Sequence, residues 1–320
     1  LMARARNDYV FGIDLGTTYS SVCYRDTNNQ LCYLNFNNTT NAFPSIVYSP
    51  ETKRLRYLCG IEAMKKSTNV LCETKRLLGQ KINHPQIQAL INANHFDFMR
   101  ISWDKNDWVM VEYDEAGTRV RKYPYEISAM LLKYLHDAIC DKLGYESDRV
   151  LKGVISVPAY FTHFQRGETM RAGTMAGFEV IKIINEPTAA AIAMGARRCA
   201  SNERLLVFDF GGGTLDVTIM DLEVQQKQKV LRVLSTHGDM FLGGADFDRV
   251  IAELILQKLR ADYPDGYELN FPKHSKFSVP KRFSVNMHIV RQIATEIKEH
   301  NFARGQDASV AVSEYISSFD

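Results

Sequence analysis

The chain contains the same short pattern twice, and this repeat restricts its fold more than any other feature of the sequence. VFGIDLGTTYSSVCYRD (10–26) and LLVFDFGGGTLDVTIMDLE (205–223) each run from an apolar strand through Asp and a Gly-rich turn with Thr into a second strand. The matching positions are Asp14 and Asp209, Gly16 and Gly211, and Thr18 and Thr214. The two aspartates are 195 residues apart, which is far longer than a solenoid period. The sequence therefore predicts two similar lobes.

The segments around the two copies predict alternating strands and helices. We expect an N-terminal strand meander, mostly helix over about 60–93, strands over 96–113 and an amphipathic helix over 126–144. KGVISVPAYF, QRGETMRAGTMAG, EVIKIIN and PTAAAIAMGARR then read as strand, helix, strand and helix. This alternation predicts a partly parallel central sheet covered by helices.

A second strand meander is expected after residue 200, followed by an amphipathic helix that begins near LGGADFD. The polar remainder from Asp262 is predicted to be mostly helical and to end in the strand-like ASVAV. We place a first lobe at 1–200, with a core at 1–48 and 125–200 and an inserted subdomain at 49–124. The second lobe at 201–320 has a core at 201–237 and a helical and strand subdomain at 238–320.

Each Gly-rich turn is a candidate phosphate site, because glycine lets a ligand approach several backbone N–H groups at once. Gly211, Gly212 and Gly213 interrupt what otherwise reads as a buried strand, where glycine is destabilising. One such turn is equally explained by the need of a hairpin for glycine. Two matching turns, each preceded by Asp, favour a clamp that holds a polyphosphate from both sides.

Four charged residues stand beside these apolar segments. Asp14 and Asp209 end strands, where a hydrated Mg²⁺ would neutralise both, although each could instead cap its own turn. Glu186 follows a strand and could orient a water or complete the outer shell of the metal, or act as a first-turn acid of a helix. Lys75 in KRLLG could reach a terminal phosphate, the alternative being a solvated lysine on a helix surface.

Composition excludes several other classes of function. The chain is 45% hydrophobic and 24% charged, as globular proteins are, and a net charge of +2 with mixed signs gives no case for nucleic acid. No apolar run is long enough to predict a membrane span, and LMARARNDYV lacks the apolar centre of a secretory signal. The scattered cysteines, which we expect to be reduced, are Cys23, Cys32, Cys59, Cys72, Cys140 and Cys199. We therefore expect a cytoplasmic protein, with the endoplasmic reticulum as the alternative.

A family resemblance follows from the motifs IDLGTTYSSV, ETKRLLGQ, VPAYF, AGF, IINEPTAAAIA, FDFGGGTLDVTI and LGGADFD. In their order and spacing they resemble the 70-kDa heat-shock (DnaK-like) chaperones, within the superfamily of actins and sugar kinases. The resemblance implies an α/β, actin-like or sugar-kinase-like ATPase fold, with two lobes, a duplicated mixed β-sheet core and a nucleotide cleft between the lobes. Actins and sugar kinases share the two phosphate turns but lack IINEPTAAAIA.

The resemblance also implies roles for individual residues. Lys75 matches the catalytic lysine of the family, and the implied catalytic set is Asp14, Lys75, Glu186, Asp209, Thr214 and Asp216. Asp14 and Asp209 would approach Mg²⁺ through its waters. Nucleotide contacts are implied for Gly16, Thr17, Thr18, Tyr19, Gly211, Gly212, Gly213, Thr214, Gly243, Gly244 and Glu296. Pro158 and Arg166 match positions that relay the nucleotide state to a substrate-binding domain.

The implied ligands are ATP or ADP with Mg²⁺, and K⁺ is a further candidate cation. The implied partners are a J-domain co-chaperone, a nucleotide-exchange factor and unfolded client proteins, the last bound through a C-terminal domain that this segment lacks. Neither nucleic acid nor a membrane is expected as a partner.

Some positions depart from the family pattern. Ala245 stands where the family usually has Glu, and Glu299, His300 and Ala303 stand where Lys, Arg and Ser contact adenosine. Family ATPase domains also continue beyond the length of this chain, so the second lobe is expected to be incomplete at its C-terminal end. We therefore expect either an altered base pocket or a plain amphipathic helix near Glu296.

Two functions follow from the sequence. The first is a Mg-dependent ATPase domain that drives client binding and release, and the intact phosphate turns favour it. The alternative is a non-hydrolysing chaperone relative that acts as an exchange factor or regulator. A metabolite kinase would need a sugar- or acetate-binding cluster, and the sequence shows none.

Overall fold

The computed structural model describes residues 8–36, 40–50, 57–66, 69–93, 95–96, 99–115, 117–198, 202–225, 228–262 and 287–301. Cys199, Ala303 and the predicted ASVAV strand lie outside these residues, as does the side chain of His300.

Within the described residues, runs of strands are separated by helices. In chain order, the strands are β1 (Val10–Leu15), β2 (Tyr19–Arg25), β3 (Leu31–Tyr33), β4 (Phe43–Pro44), β5 (Val47–Tyr48), β6 (Leu58–Cys59), β7 (Val70–Leu71), β8 (Arg100–Trp103), β9 (Val109–Glu115), β10 (Thr118–Lys122), β11 (Leu151–Val157), β12 (Phe178–Asn185), β13 (Glu203–Phe210), β14 (Leu215–Gln225) and β15 (Gln228–Asp239). The helices are α1 (Ile61–Met64), α2 (Pro85–Asn92), α3 (Pro124–Leu143), α4 (His163–Met175), α5 (Glu186–Arg198), α6 (Gly244–Asp262) and α7 (Met287–Glu296). A 3₁₀-helix covers Thr74–Leu77, and a π-helical turn covers Ile297–Asn301.

The central sheet of the first lobe has the order β12-β11-β1-β2-β3, and β4 also pairs with β2. β1 is parallel to β11, and β11 is parallel to β12, whereas β2 runs antiparallel to β1. The predicted partly parallel sheet is therefore confirmed. Two small antiparallel sheets, β10-β9-β8 and β6-β5-β7, belong to the segment between β4 and α3.

The second lobe repeats the beginning of the first. β13, β14 and β15 form an antiparallel meander, as β1, β2 and β3 do. The Gly-rich turns occupy the same place in both lobes, between the first and second strands of the meander. The three glycines therefore lie in a turn between β13 and β14 and do not interrupt a strand.

Helix α3 forms where the apolar periodicity predicts it. It begins with Pro124 at its first position, and the Glu126 side chain accepts a hydrogen bond from the N–H of Tyr123 at 2.8 Å. It ends at Gly144, whose φ of 67° suits glycine. Its inward face carries Ile127, Met130, Leu131, Leu135 and Ile139, whereas Tyr134 is 40% exposed.

Two other expectations are wrong. Only half of the described residues within 60–93 are helical, because short strands and left-handed residues such as Asn69 and Glu73 separate the helical pieces. β13 is also not buried, since Leu206 and Phe208 are 66% and 65% exposed and no described segment covers that face. Among the described helices, none is both long enough and apolar enough to cross a membrane.

Candidate active site

The two Gly-rich turns contact each other across the boundary between the lobes. A β-carbon added at Gly212 would lie 1.9 Å from Thr18 Oγ1, and one added at Gly213 would lie 2.6 Å from Thr17 Oγ1. None of Gly211, Gly212 and Gly213 has a positive φ. The turn therefore needs glycine because the side chains of Thr17 and Thr18 lie against it, and not because of an unusual backbone conformation.

The second turn also contacts the start of α6. The N–H of Gly244 donates to Gly211 O, and the N–H of Ala245 donates to Gly212 O, both at 2.9 Å. In a trans peptide the C=O and N–H point in opposite directions. The N–H groups of Gly212 and Gly213 therefore point away from α6, an arrangement suited to phosphate oxygens.

Gly243 and Gly244 lie behind the second turn. A β-carbon at Gly243 would lie 2.5 Å from the backbone of Gly212 and Gly213. These two glycines, predicted to contact nucleotide, thus support the turn from the α6 side. Glycine at Gly243 is required by this close packing.

The predicted acids converge at the contact between the turns. Asp209 and Asp216 are directly opposite each other in the β13–β14 pair. Asp14, on β1, accepts a hydrogen bond from Ser156 Oγ at 2.9 Å. Lys75 Nζ lies 2.8 Å from Glu186 Oε1 and is only 9% exposed, so the alternative of a solvated lysine is wrong. The 3₁₀-helix Thr74–Leu77 holds this lysine in place.

Burial and mutual repulsion weaken these acids. Burial raises the pKa of Glu186 and of Asp209, and the charge of Asp14 raises both further. Burial also raises the pKa of Asp216, against the hydrogen bond that it accepts from the N–H of Ala159. The charge of Lys75 lowers all three pKa values. A single lysine is thus shared by these carboxyl groups, and its one positive charge does not balance their negative charges.

This charge deficit fits a divalent cation. Asp216 Oδ2 is buried and makes no hydrogen bond, so it is available to a water or a cation shell. Across the described part of the chain, no three His, Cys, Asp or Glu side chains converge closely enough to hold a metal by themselves. Mg²⁺ commonly keeps several waters and binds phosphates, and Asp14 and Asp209 could hold such a hydrated ion.

The loop after β11 connects this centre to α4. Ala159 donates its N–H to Asp216 Oδ1 at 3.2 Å, and Arg166 donates to Ala159 O at 3.1 Å and Phe161 O at 2.9 Å. Pro158 begins this loop. Tyr160, which was not among the predicted site residues, has a buried hydroxyl without a hydrogen-bond partner, and burial and the charge of Asp216 raise its pKa. In the sequence, only the VPAYF motif pointed to this tyrosine.

A cavity of about 440 Å³ lies beside the first turn, which is within the size range of ligand sites. Thr17, Thr18 and Tyr19 line one side, and Glu296 and Glu299 line the side formed by α7 and the π-helical turn. Burial and the charges of Glu299 and Asp248 raise the pKa of Tyr19. Glu299 is exposed, and it replaces the lysine expected from the resemblance with a negative charge.

A buried ionic cluster, which was not predicted from the sequence, joins the lobes next to this cavity. Its members are Glu73, Arg76, His95, Asp246 and Arg291. Burial by itself would raise the pKa of Glu73, but the hydrogen bond with His95 and the charges of His95, Arg76 and Arg291 lower it to about 2. The only sequence signal was the presence of charged residues within apolar segments.

Comparison with known proteins agrees with the motifs. A family model described as Hsp70 protein matches residues 10–270. A heat shock 70 kDa protein from Neurospora crassa is 37% identical over 262 residues, which are 81% of this chain and 38% of the relative. The chain therefore spans less than half the length of this curated relative.

Proposed function

The chain belongs to the Hsp70 protein family, and from this we propose that it is the ATP-binding and ATP-hydrolysing domain of a molecular chaperone. The family match and the mixed α/β sheets establish the actin-like fold class expected from the sequence. One observation carries the proposal: Lys75, Glu186, Asp209 and Asp216 converge where the two Gly-rich turns meet. The contact of Lys75 with Glu186 joins residues that are 111 positions apart in the sequence.

Binding would use the backbone of both turns. The N–H groups of Gly212 and Gly213 would donate to phosphate oxygens, and Thr17 and Thr18 would contact the same phosphates from the first lobe. Asp14 and Asp209 would hold Mg²⁺ through its waters, and the bound ion would neutralise negative charge on the phosphates. The cavity lined by Tyr19 and Glu296 is large enough for part of the nucleoside.

Hydrolysis would follow from positioning and charge, as in phosphoryl transfer generally. Asp216 Oδ2, buried and unpaired, would accept a hydrogen bond from the attacking water and orient its oxygen toward the terminal phosphorus. The water oxygen forms a bond to that phosphorus while the bond to the bridging oxygen breaks, which releases ADP. Asp216 can take up the water proton because its pKa is raised. Lys75, fixed by Glu186, would stabilise the negative charge on the transferred phosphoryl group.

A Lys75→Ala substitution in the full-length protein tests this function. We expect phosphate release in a single turnover to fall at least about 100-fold, because the transition state loses a preorganised cation. Lys142→Ala is the matched control, since Lys142 is an exposed lysine in the last turn of α3 and should release phosphate at the wild-type rate. ATP binding is measured in parallel by calorimetry.

The second candidate function is supported by the base side of the cleft. Glu299 is negative where the family pattern has lysine, and Ala245 is an uncharged residue where it has Glu. If wild type and Lys75→Ala bind ATP but release phosphate equally slowly, the protein is a non-hydrolysing relative that acts as an exchange factor or regulator.

The partners of the whole protein are part of the same proposal. A J-domain co-chaperone and a nucleotide-exchange factor would bind this domain, and unfolded clients would bind a C-terminal domain. We further propose a cytoplasmic location, with the endoplasmic reticulum as the alternative, which fractionation of cells that express the full-length protein would decide.

A further inference from the structure

Adjacent residues of the 3₁₀-helix Thr74–Leu77 point to different lobes. Lys75 contacts Glu186 in the first lobe, whereas Arg76, whose side chain is fully buried, reaches residues of the second lobe. Arg76 Nη2 donates to Asp246 Oδ2 at 2.7 Å, and Nη1 donates to Asp246 Oδ1 at 3.2 Å. This two-point contact needs the planar guanidinium group, which lysine lacks.

The same guanidinium also contacts the Gly-rich turn of the second lobe and the backbone just before Gly243. Nη2 donates to Gly212 O at 3.4 Å, and Nη1 donates to Phe241 O at 3.1 Å, just before the turn at Gly243. Asp246 Oδ2 in turn accepts the N–H of Gly243 at 2.7 Å. Arg76 and Asp246 therefore bind the phosphate turn and the start of α6 as one unit.

This unit links the 3₁₀-helix to the second lobe directly beside the contact between the two turns. The Thr17 and Thr18 side chains touch Gly213 and Gly212, so the two phosphate turns are in contact. A nucleotide can enter or leave the cleft only when the lobes that carry these turns open. Such a movement carries Gly212 away from the 3₁₀-helix and breaks the contacts of Arg76.

We propose that Arg76 is a positioning residue that fastens the second phosphate turn to the first lobe and thereby sets how long a bound nucleotide remains in the cleft. This inference rests on the proposed function, because it concerns the retention of nucleotide. Arg76 does not touch the reacting atoms. It acts through the turn that does.

The test uses Arg76→Gln and Asp246→Asn in the full-length protein, with two measurements. Without nucleotide, hydrogen exchange of the amides of Gly243, Gly244 and Ala245 is expected to become at least about tenfold faster in both variants. Without the Arg76–Asp246 contact, the segment that holds the hydrogen bonds of these amides opens more often. With a fluorescent ADP analogue, dissociation is expected to be at least about tenfold faster, because the second turn separates from the first lobe more readily without this charge pair. The double variant should add little to either single variant, because both remove the same contact.

Arg204→Gln is the matched control. Arg204 makes a similar two-point contact with Asp221, at 2.7 and 3.0 Å, but on the surface and within the second lobe. We expect wild-type exchange of the 243–245 amides and wild-type dissociation for this variant. Asp246→Asn keeps the shape of the side chain and an oxygen for the Gly243 N–H, so it addresses the case in which Arg76→Gln fails to fold.

Unchanged exchange of these amides in both variants would overturn the inference, and so would unchanged dissociation from a wild type that binds nucleotide. A wild type that binds no nucleotide would instead contradict the proposed function. In that case the exchange measurement still decides whether Arg76 holds the turn.

Discussion

At the scale of single residues, the acids of the site are placed for chemistry at the expense of stability. Asp209 and Asp216 face each other on adjacent strands, where like charges are unfavourable. The pKa of Asp209 is raised by burial and by Asp14, which means that the folded protein disfavours its charged form at neutral pH. Natural proteins retain such destabilising carboxylates where function requires them.

Asp209→Asn should therefore stabilise the unliganded protein while it weakens magnesium-dependent nucleotide binding. At pH 7 we expect a gain of about 0.5 kcal/mol in the free energy of unfolding, a small value because the side chain is partly exposed and screened. The gain should vanish near pH 3, where the carboxyl group is protonated in both the folded and the unfolded states. Denaturant titrations at the two pH values measure it, and a destabilised variant at pH 7 would contradict the pKa direction.

At the scale of elements, helix α4 contains two glycines with different packing. Gly167 and Gly173 both lie in this helix, but their surroundings differ. A β-carbon at Gly167 would meet no atom within 4 Å, whereas one at Gly173 would lie 2.5 Å from Val180 Cγ2 and 2.9 Å from Ile155 Cδ1. Gly173 therefore lets α4 approach the central sheet, and Gly167 has no such packing role.

Gly167→Ala and Gly173→Ala should change stability in opposite directions. Alanine at position 167 is expected to stabilise the protein by about 0.5–1 kcal/mol, because it favours the helix and restricts the unfolded chain. Alanine at position 173 should destabilise it by about 1–3 kcal/mol, because the methyl group overpacks the contact with the sheet. Thermal unfolding of the two variants side by side decides this, and equal shifts would show that α4 does not pack on the sheet as described.

At the scale of the whole molecule, the buried ionic cluster connects the lobes through opposite charges. Arg76 and Arg291 balance Glu73 and Asp246, and His95 hydrogen-bonds Glu73 at 2.7 Å. The cluster lowers the pKa of Glu73 to about 2 from an ordinary value of 4.5. Because its folded-state pKa is depressed, Glu73 stabilises the folded protein above about pH 4.5, and this contribution is lost as the pH falls toward 2.

Glu73→Gln should consequently reduce stability at pH 7 and flatten its dependence on pH between 4.5 and 2. In this window the unfolded wild type binds a proton at position 73 that the folded protein does not bind. The free energy of unfolding of the wild type therefore decreases as the pH is lowered. The Gln variant cannot make this contribution. Urea titrations of both proteins at several acidic pH values compare the two slopes, and equal slopes would exclude Glu73 as a source of the acid sensitivity.

Local sequence determined the repeated hairpins, the two Gly-rich turns, helix α3 and the family. These features depend on residues close together in the chain, such as Gly211–Thr214 between two strand patterns or Gly144 at a helix end. The same local reasoning was wrong for 60–93 and for the burial of β13. There, left-handed residues and the surrounding packing, rather than apolar content, decide the structure.

Only the tertiary structure decided which charged residues meet. Lys75 and Arg76 are neighbours in sequence, yet one pairs with Glu186, 111 positions away, and the other with Asp246, 170 positions away. A charge in an apolar segment must find a partner when it is buried, but the sequence does not say which partner the fold brings near. The turns could be recognised from their residues. Their contact with each other, and the contact of Arg76 with the second turn, depend on how the two lobes pack.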